Sequence, residues 1–369
     1  MNHWLLIILG LILLVGGAET LIRGAVGLAT RFSISPLIIG ATIVAFGTSA
    51  PEVAVSLSAV HDGTPQIAIG NAVGSNTFNI LFILGLTALI SPLVVARRLI
   101  RIDIPIMIGV SILLWGLALD GRLGRVEGAI LLAGIAAYTI AAIWVSRRES
   151  RLAAEQAAND PGVKVRLALP LAIGLTIGGL VVLVLGARWF VSGSVSVATA
   201  LGLSELIIGL TIVAVGTSLP EVATSIVAAV RGQRDLAIAN VVGSNIFNIL
   251  GILGISSLAA PSGLPVPGAA MAFDIPVMAA VAITCLPIAF TGQRINRWEG
   301  LLLLGGYAAY VAYLLLLATE HDAISGFSSV MLAFVIPLAA LGVIVSVCQS
   351  LRRRSRLRND ASNVPPAAP

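Results

Sequence analysis

The sequence predicts an all-α polytopic membrane protein, with two inverted five-helix repeats and one additional C-terminal transmembrane helix. Three observations carry this. Over 369 residues the chain is 58% hydrophobic and only 11% charged, whereas a soluble domain carries roughly a quarter charged residues. Residues 34–80 and 203–249 are one stretch written twice, identical at 29 of 47 positions with a constant offset of 169 and no gap. Finally, Lys and Arg collect in alternate loops, and so on one side of the membrane, once the spans are laid out in order.

A spanning helix needs about 20 mostly apolar residues. That rule places helices near 4–22, 34–60, 65–90, 102–119 and 126–145, and again near 167–187, 203–230, 235–258, 272–291 and 297–318. One more lies near 324–348. The resulting organisation is a first repeat at 1–145, a cytoplasmic polar connector at 146–166 and a second repeat at 167–318. An extra helix within 319–350 and a basic, disordered cytoplasmic tail at 351–369 follow. The N-terminal stretch lacks a basic leader and an A-x-A-like cleavage site, so it reads as a retained first helix and not a signal peptide. The repeat extends past its core: Asp103, Pro105 and Met107 match Asp274, Pro276 and Met278, and Arg125 and Glu127 match Arg297 and Glu299.

Five is odd, so the second unit enters the membrane with the opposite orientation. With the N-terminus outside and the C-terminus cytoplasmic, the inner segments hold 19 Lys and Arg residues and the outer ones only Arg122, Arg125 and Arg188. The positive-inside rule fixes that orientation; the expected location is a plasma membrane, the bacterial inner membrane. Related units in opposite orientations are the architecture of many secondary transporters.

Each copy of the repeat carries one glutamate after a break. In Gly47-Thr48-Ser49-Ala50-Pro51-Glu52 and Gly216-Thr217-Ser218-Leu219-Pro220-Glu221, proline removes a backbone donor and glycine loosens the helix. Freed carbonyls are tolerated at membrane depth only where they face protein or a watery cavity. Carbonyls, the Thr48, Ser49, Thr217 and Ser218 hydroxyls and the two carboxylates make an all-oxygen set of the kind hard cations prefer. The second motif, Gly74-Ser75-Asn76-Thr77-Phe78-Asn79 and Gly243-Ser244-Asn245-Ile246-Phe247-Asn248, puts Ser75 with Asn79 and Ser244 with Asn248 on one helical face. Asn76 and Asn245 lie on a different face and are expected to bond broken backbone.

A proline kink with Ser or Thr, taken alone, is usually packing. The glutamates change that, because a charge at the membrane centre costs about 2.5–3.5 kcal/mol even on the gentlest scale, and no Lys or Arg sits at comparable depth in the sequence. Asp103, Glu127, Asp274 and Glu299 lie near predicted helix starts, where a carboxylate favours the helix dipole, and read as structural. Glu19 has Arg23 four residues on, a local pair. His3, His61 and His321 take no role, and Cys285 and Cys348 read as small hydrophobes in apolar runs. No zinc-type cluster, cofactor motif or nucleic-acid surface is present; the basic tail suits anionic lipid. Oligomeric state is not legible.

The paired GTSxPE and GSNxxN motifs, repeated in opposite orientation, resemble the sodium/calcium exchanger family of the cation/calcium antiporter superfamily, in its prokaryotic-type form. The resemblance covers residues 1–318. It implies an antiporter, not an enzyme, that moves Na⁺ and Ca²⁺ through ten helices by alternating access. The implied ion ligands are Thr48, Ser49, Glu52, Ser75, Asn79, Thr217, Ser218, Glu221, Ser244 and Asn248, with the backbone carbonyls of Ala45 and Ala214 joining a sodium site. Some relatives carry Asp at the position of Asn248, and its absence favours a potassium-independent exchanger. The helices at 4–22 and 167–187 are the expected moving elements. The nearest rival is a Ca²⁺/H⁺ (or other divalent cation/H⁺) antiporter, because protons also neutralise carboxylates. A channel would need no counter-ion, and an intramembrane protease would need aspartates beside the breaks.

Overall fold

The computed structural model describes residues 3–156, 167–201, 214–290, 292–319 and 323–331, together with Ile336 and Ile344. The start of the second broken segment (203–213), the end of the connector, most of the expected helix at 324–348 and the tail at 351–369 lie outside the described residues. The elements are α1 (His3–Phe32), α2 (Pro36–Thr48), α3 (Ala50–His61), α4 (Gln66–Ile90), α5 (Leu99–Leu117) and α6 (Arg125–Gln156). Then come α7 (Leu169–Ala200), α8 (Ala214–Gly216), α9 (Leu219–Val230), α10 (Arg234–Ala259), α11 (Ala270–Phe290), α12 (Arg297–Ala318) and α13 (Ala323–Val330). Among the described residues, eight helices are long and apolar enough to cross a membrane, or nine when α2 and α3, bent by 42°, count as one broken span. The chain is a multi-pass integral membrane protein.

The break between α2 and α3 falls where Pro51 predicts it. Ser49 leaves the helical region at φ −81°, ψ 9°, and Ser218 does the same at φ −89°, ψ 7°. α10 is enclosed throughout its apolar span and α4 over most of its own, whereas α12 is almost entirely outward-facing. The two Gly-Ser-Asn motifs therefore sit on the innermost helices. Wide π-helical turns at Asn79–Leu84 and Asn248–Leu253 follow those motifs in both copies, a distortion often found at functional sites.

Two short antiparallel ribbons close the bundle. β1 (Leu93–Val94) pairs with β4 (Arg294–Ile295), and β2 (Arg122–Leu123) pairs with β3 (Leu264–Pro265). Because α5 runs from β1 to β2, the ribbons lie at opposite ends.

Several helices are longer than hydropathy predicts. α1 continues ten residues past 22 because Gly24, Ala25, Gly27 and Ala29, which add little hydropathy, are buried against a neighbour. That neighbour is α7. Gly10 and Gly17 on α1 meet Gly186 and Gly179 on α7, while Gly24 packs on Thr176 and Ala172 and Gly193 on His3 and Ile7, each set of three glycines being spaced by seven residues. A Cβ added at Gly17 would lie 2.7 Å from the Leu183 amide nitrogen, and one at Gly186 2.7 Å from that of Leu14. Small residues of this kind let membrane helices approach backbone to backbone. α6 runs on to Gln156, past the expected end at 145, because its Arg, Glu and Ala residues are good helix formers and no proline intervenes before Pro161.

The secondary acids divide. Glu127 Oε2 accepts the Gly124 amide at 2.9 Å and Glu299 Oε2 the Asn296 amide at 2.7 Å, so both cap helices as expected. Asp103 and Asp274 do not, because α5 and α11 begin at Leu99 and Ala270, one turn earlier. They accept instead from Tyr138 Oη (3.1 Å) and Tyr310 Oη (3.0 Å), and Arg98 lies 3.5 Å from Asp103. Tyr138→Phe should accordingly lower stability by about 1–3 kcal/mol, measured by thermal unfolding in detergent, while leaving transport in vesicles intact.

Candidate functional site

The breaks carry the two glutamates into one enclosed cluster. Glu52 and Glu221, each at the first turn of its helix, are 1% exposed. They are cross-linked through the serines of the opposite break: Ser218 Oγ donates to Glu52 Oε1 and Ser49 Oγ to Glu221 Oε1, both at 2.9 Å. Thr217 stands beside Glu52 and Thr48 beside Glu221. Among the described residues neither carboxylate has a Lys or Arg within ion-pair distance, and Glu52 Oε2 and Glu221 Oε2 have no hydrogen-bond partner.

The asparagines complete the cluster in a way that single-helix reasoning does not anticipate. Asn76 Nδ2 donates to the Asn245 backbone carbonyl (3.1 Å), and Asn245 Nδ2 to that of Asn76 (3.4 Å). They do bond backbone, but across the bundle and not within their own helix. Their side-chain oxygens in turn accept from Asn248 Nδ2 (3.0 Å) and Asn79 Nδ2 (2.9 Å). With its nitrogen so engaged, each of Asn79 and Asn248 is left presenting an Oδ1 that has no partner among the described residues. Ser244 Oγ is likewise unpartnered, while Ser75 Oγ lies 3.4 Å from Ser218 Oγ. Among the described residues, the members of the predicted set that present a buried oxygen without a donor are thus two carboxylates, two amides and one hydroxyl.

The backbone at the breaks is less open than expected. The Ala45 carbonyl accepts the Ser49 amide at 3.1 Å and the Thr48 hydroxyl at 3.3 Å. In the second copy the Ser218 amide donates to the Val215 carbonyl, at 3.1 Å. Proline leaves Gly47 and Gly216 without the usual amide four residues on.

Six supporting residues escape the motif search. Asn71 Nδ2 donates to the Glu52 carbonyl (3.0 Å) and to Ser56 Oγ (2.9 Å), and Asn240 Nδ2 donates to Ser225 Oγ (3.1 Å). Met107 and Met278 place their sulfurs against Asn245 and Asn76. A signal was available, because Asn71 and Ser56 recur unchanged at 240 and 225 inside the repeated stretch, and the two methionines match as well.

A family model described as sodium/calcium exchanger protein matches residues 2–144 and 171–316. Sodium/calcium exchanger MaX1 of Methanosarcina acetivorans is 32% identical over 345 residues, covering 85% of this chain and 98% of that protein. Inner membrane protein YrbG of Escherichia coli is 37% identical over 317 residues, covering 84% and 95%. Among solved structures, the sodium-calcium exchanger NCX_Mj superposes with a TM-score of 0.72 at 33% identity, covering 85% of this chain and 99% of that one.

Proposed function

The chain belongs to the sodium/calcium exchanger family of antiporters, and we propose that it exchanges Na⁺ for Ca²⁺ by alternating access at the cluster around Glu52 and Glu221. One observation carries this reading: two enclosed carboxylates are each held by a serine from the other break, and among the described residues their second oxygens and two nearby amide oxygens meet no donor. Desolvating a carboxylate costs several kcal/mol, and two like charges in one site add repulsion. A hydrogen bond to each recovers only about 1.5–3 kcal/mol. Cations bound as cargo supply the missing charge. Glu52, Glu221, Asn79, Asn248 and Ser244 offer the open oxygens, and Thr48, Ser49, Ser75, Thr217 and Ser218 offer hydroxyls that can turn. The carbonyl of Ala45, already engaged twice, contributes less than the sequence suggests, and that of Ala214 remains a candidate sodium ligand.

Exchange follows from charge. One Ca²⁺ or several Na⁺ neutralise the two carboxylates, so the two loads compete for shared oxygens. The centre crosses apolar surroundings cheaply only when filled. A ligand shifts the inward–outward balance by its differential affinity for the two states. Two inverted units, 1–145 and 167–318, provide those states. What supports inversion is the ribbon pairing: β1 and β3 occupy equivalent places in the two units yet lie at opposite ends of the bundle. The bias of basic residues supports an outside N-terminus.

The test is ⁴⁵Ca²⁺ uptake into proteoliposomes with an outward Na⁺ gradient, with no gradient, and with a pH gradient alone. Uptake is expected only in the first arm. Uptake driven by the pH gradient and indifferent to Na⁺ would sink this reading in favour of a Ca²⁺/H⁺ antiporter.

A further inference from the structure

The two halves differ in one conspicuous place. Arg231, just after α9, bonds Glu19 of α1 (Nη2 to Oε2, 2.6 Å), and Arg23 holds the other oxygen of the same carboxylate at 2.5 Å. This pair ties α1 to the end of the helix that begins beside Glu221. The repeat offset of 169 maps Glu19 onto Arg188 of α7, and Arg231 onto Asp62, just after α3. The same two positions therefore hold a cation and an anion in the other half, with the signs exchanged.

There the pair is not made. Among the described residues Arg188 and Asp62 are not within ion-pair distance, and Asp62 accepts only from Ser58 Oγ, at 3.0 Å. Where α1 packs on α9, the equivalent space between α7 and α3 is a cavity of about 530 Å³. Arg188 lines it, as do Ala50 and Pro51 of the first break and Gly216 and Thr217 of the second. The cavity on the other side, about 460 Å³, has Glu19, Arg23 and Arg231 in its wall and contains no residue of either break. One end of the bundle is latched short of the site, and the other is open down to it.

We propose that Glu19–Arg231 and Arg188–Asp62 are alternative latches, one formed in each of the two access states, with the first closed in this structure. An inverted repeat passes between its states by exchanging the conformations of its halves, so the mate of a closed contact is an open one. The proposal rests on the alternating-access reading above and adds to it the residues that bias the two states. Both pairs are solvent-facing, so each latch tilts the balance only modestly, about two- to fivefold.

The experiment uses the full chain without Cys285 and Cys348, carrying Ala54→Cys, an exposed position on the open cavity. Oriented vesicles are treated with a membrane-impermeant thiol reagent. Labelling is expected from one side only. Arg231→Gln, which opens the closed latch, should slow it about two- to fivefold, and Asp62→Asn, which removes the alternative latch, should speed it by a similar factor. The exchanged pair Glu19→Arg with Arg231→Glu should restore the starting rate. Opposite signs are the diagnostic, since a purely structural loss moves both variants the same way. The proposal is overturned by an unchanged rate in either variant, by shifts of one sign, by failure of the exchanged pair to restore the rate, or by no labelling from either side. Na⁺-driven ⁴⁵Ca²⁺ uptake by the Ala54→Cys protein is measured in parallel. If uptake is present while labelling does not respond, the latch fails and the exchange reading stands; if uptake is absent, the exchange reading itself fails.

Discussion

Glu52→Gln and Glu221→Gln, each alone, are expected to cut Na⁺-driven ⁴⁵Ca²⁺ uptake by at least about 100-fold. Removing one partner of a buried charged set typically costs 3–5 kcal/mol, and each 1.36 kcal/mol is a factor of ten. Glutamine keeps the shape and still accepts the serine hydroxyl of the opposite break, 2.9 Å away in the native protein, so the loss isolates charge from geometry. The two effects on stability have opposite signs. Without Na⁺ or Ca²⁺ each variant should melt above the native protein, because an uncompensated buried charge is gone. With Ca²⁺ the native protein should gain stability by mass action, and the variants should gain little. A variant that melts lower without ions, or that keeps a full Ca²⁺-induced shift, would mean that the carboxylates hold the bundle together and not the cargo. The paired design also asks whether the halves are equivalent. Ser244 is unpartnered whereas its mate Ser75 accepts from Ser218, so unequal residual Ca²⁺ affinities in the two variants would locate the divalent ion nearer one glutamate.

How much of this was legible in the sequence depends on whether the cause is local. The breaks at Ser49 and Ser218 were, because Gly-Thr-Ser-x-Pro dictates them through missing donors and one flexible residue. The burial of Glu52 and Glu221 followed from their apolar flanks. The spacing of Ser75 with Asn79 fixed a common face, yet it could not say which amide atom would point at the cargo. That is decided by Asn76 and Asn245, which cross to the opposite copy and take up the nitrogens of Asn248 and Asn79. Glu19 shows the same limit. Its neighbour Arg23 was visible as an i,i+4 pair, whereas Arg231, 212 residues away, was not. Asp103 and Asp274 lie near the helix starts that hydropathy predicts but one turn inside the observed ones, because Leu99–Asp103 and Ala270–Asp274 are wide π-helical turns, a backbone feature that an apolar count does not reveal. α1 and α7 were cut short for a related reason: their second halves are buried by glycine and alanine, which shorten the distance between backbones while adding little to an apolar count.

That glycine contact gives the second large effect. Gly17→Leu and Gly186→Leu should each lower exchange more than tenfold and reduce thermal stability, whereas Gly16→Leu should be silent in both. A Cβ at Gly17 or Gly186 falls 2.7 Å from a backbone nitrogen of the facing helix, and one at Gly16 meets nothing within 4 Å. Backbone cannot yield as a side-chain tip does, so the helices must separate, and overpacking of this kind costs typically 1–3 kcal/mol. The functional loss should exceed what that figure implies for folding. α1 and α7 are the moving elements expected from the sequence, and their seven-residue glycine ladder holds the two together as one closely packed pair. A bulky side chain on that ladder changes how the pair sits over the site even in molecules that remain folded. Uptake per folded molecule, measured after correcting for the fraction that elutes as a monodisperse species, separates the two contributions. If that corrected rate equals the native one, the ladder serves packing alone and the moving surface must be sought elsewhere in the bundle.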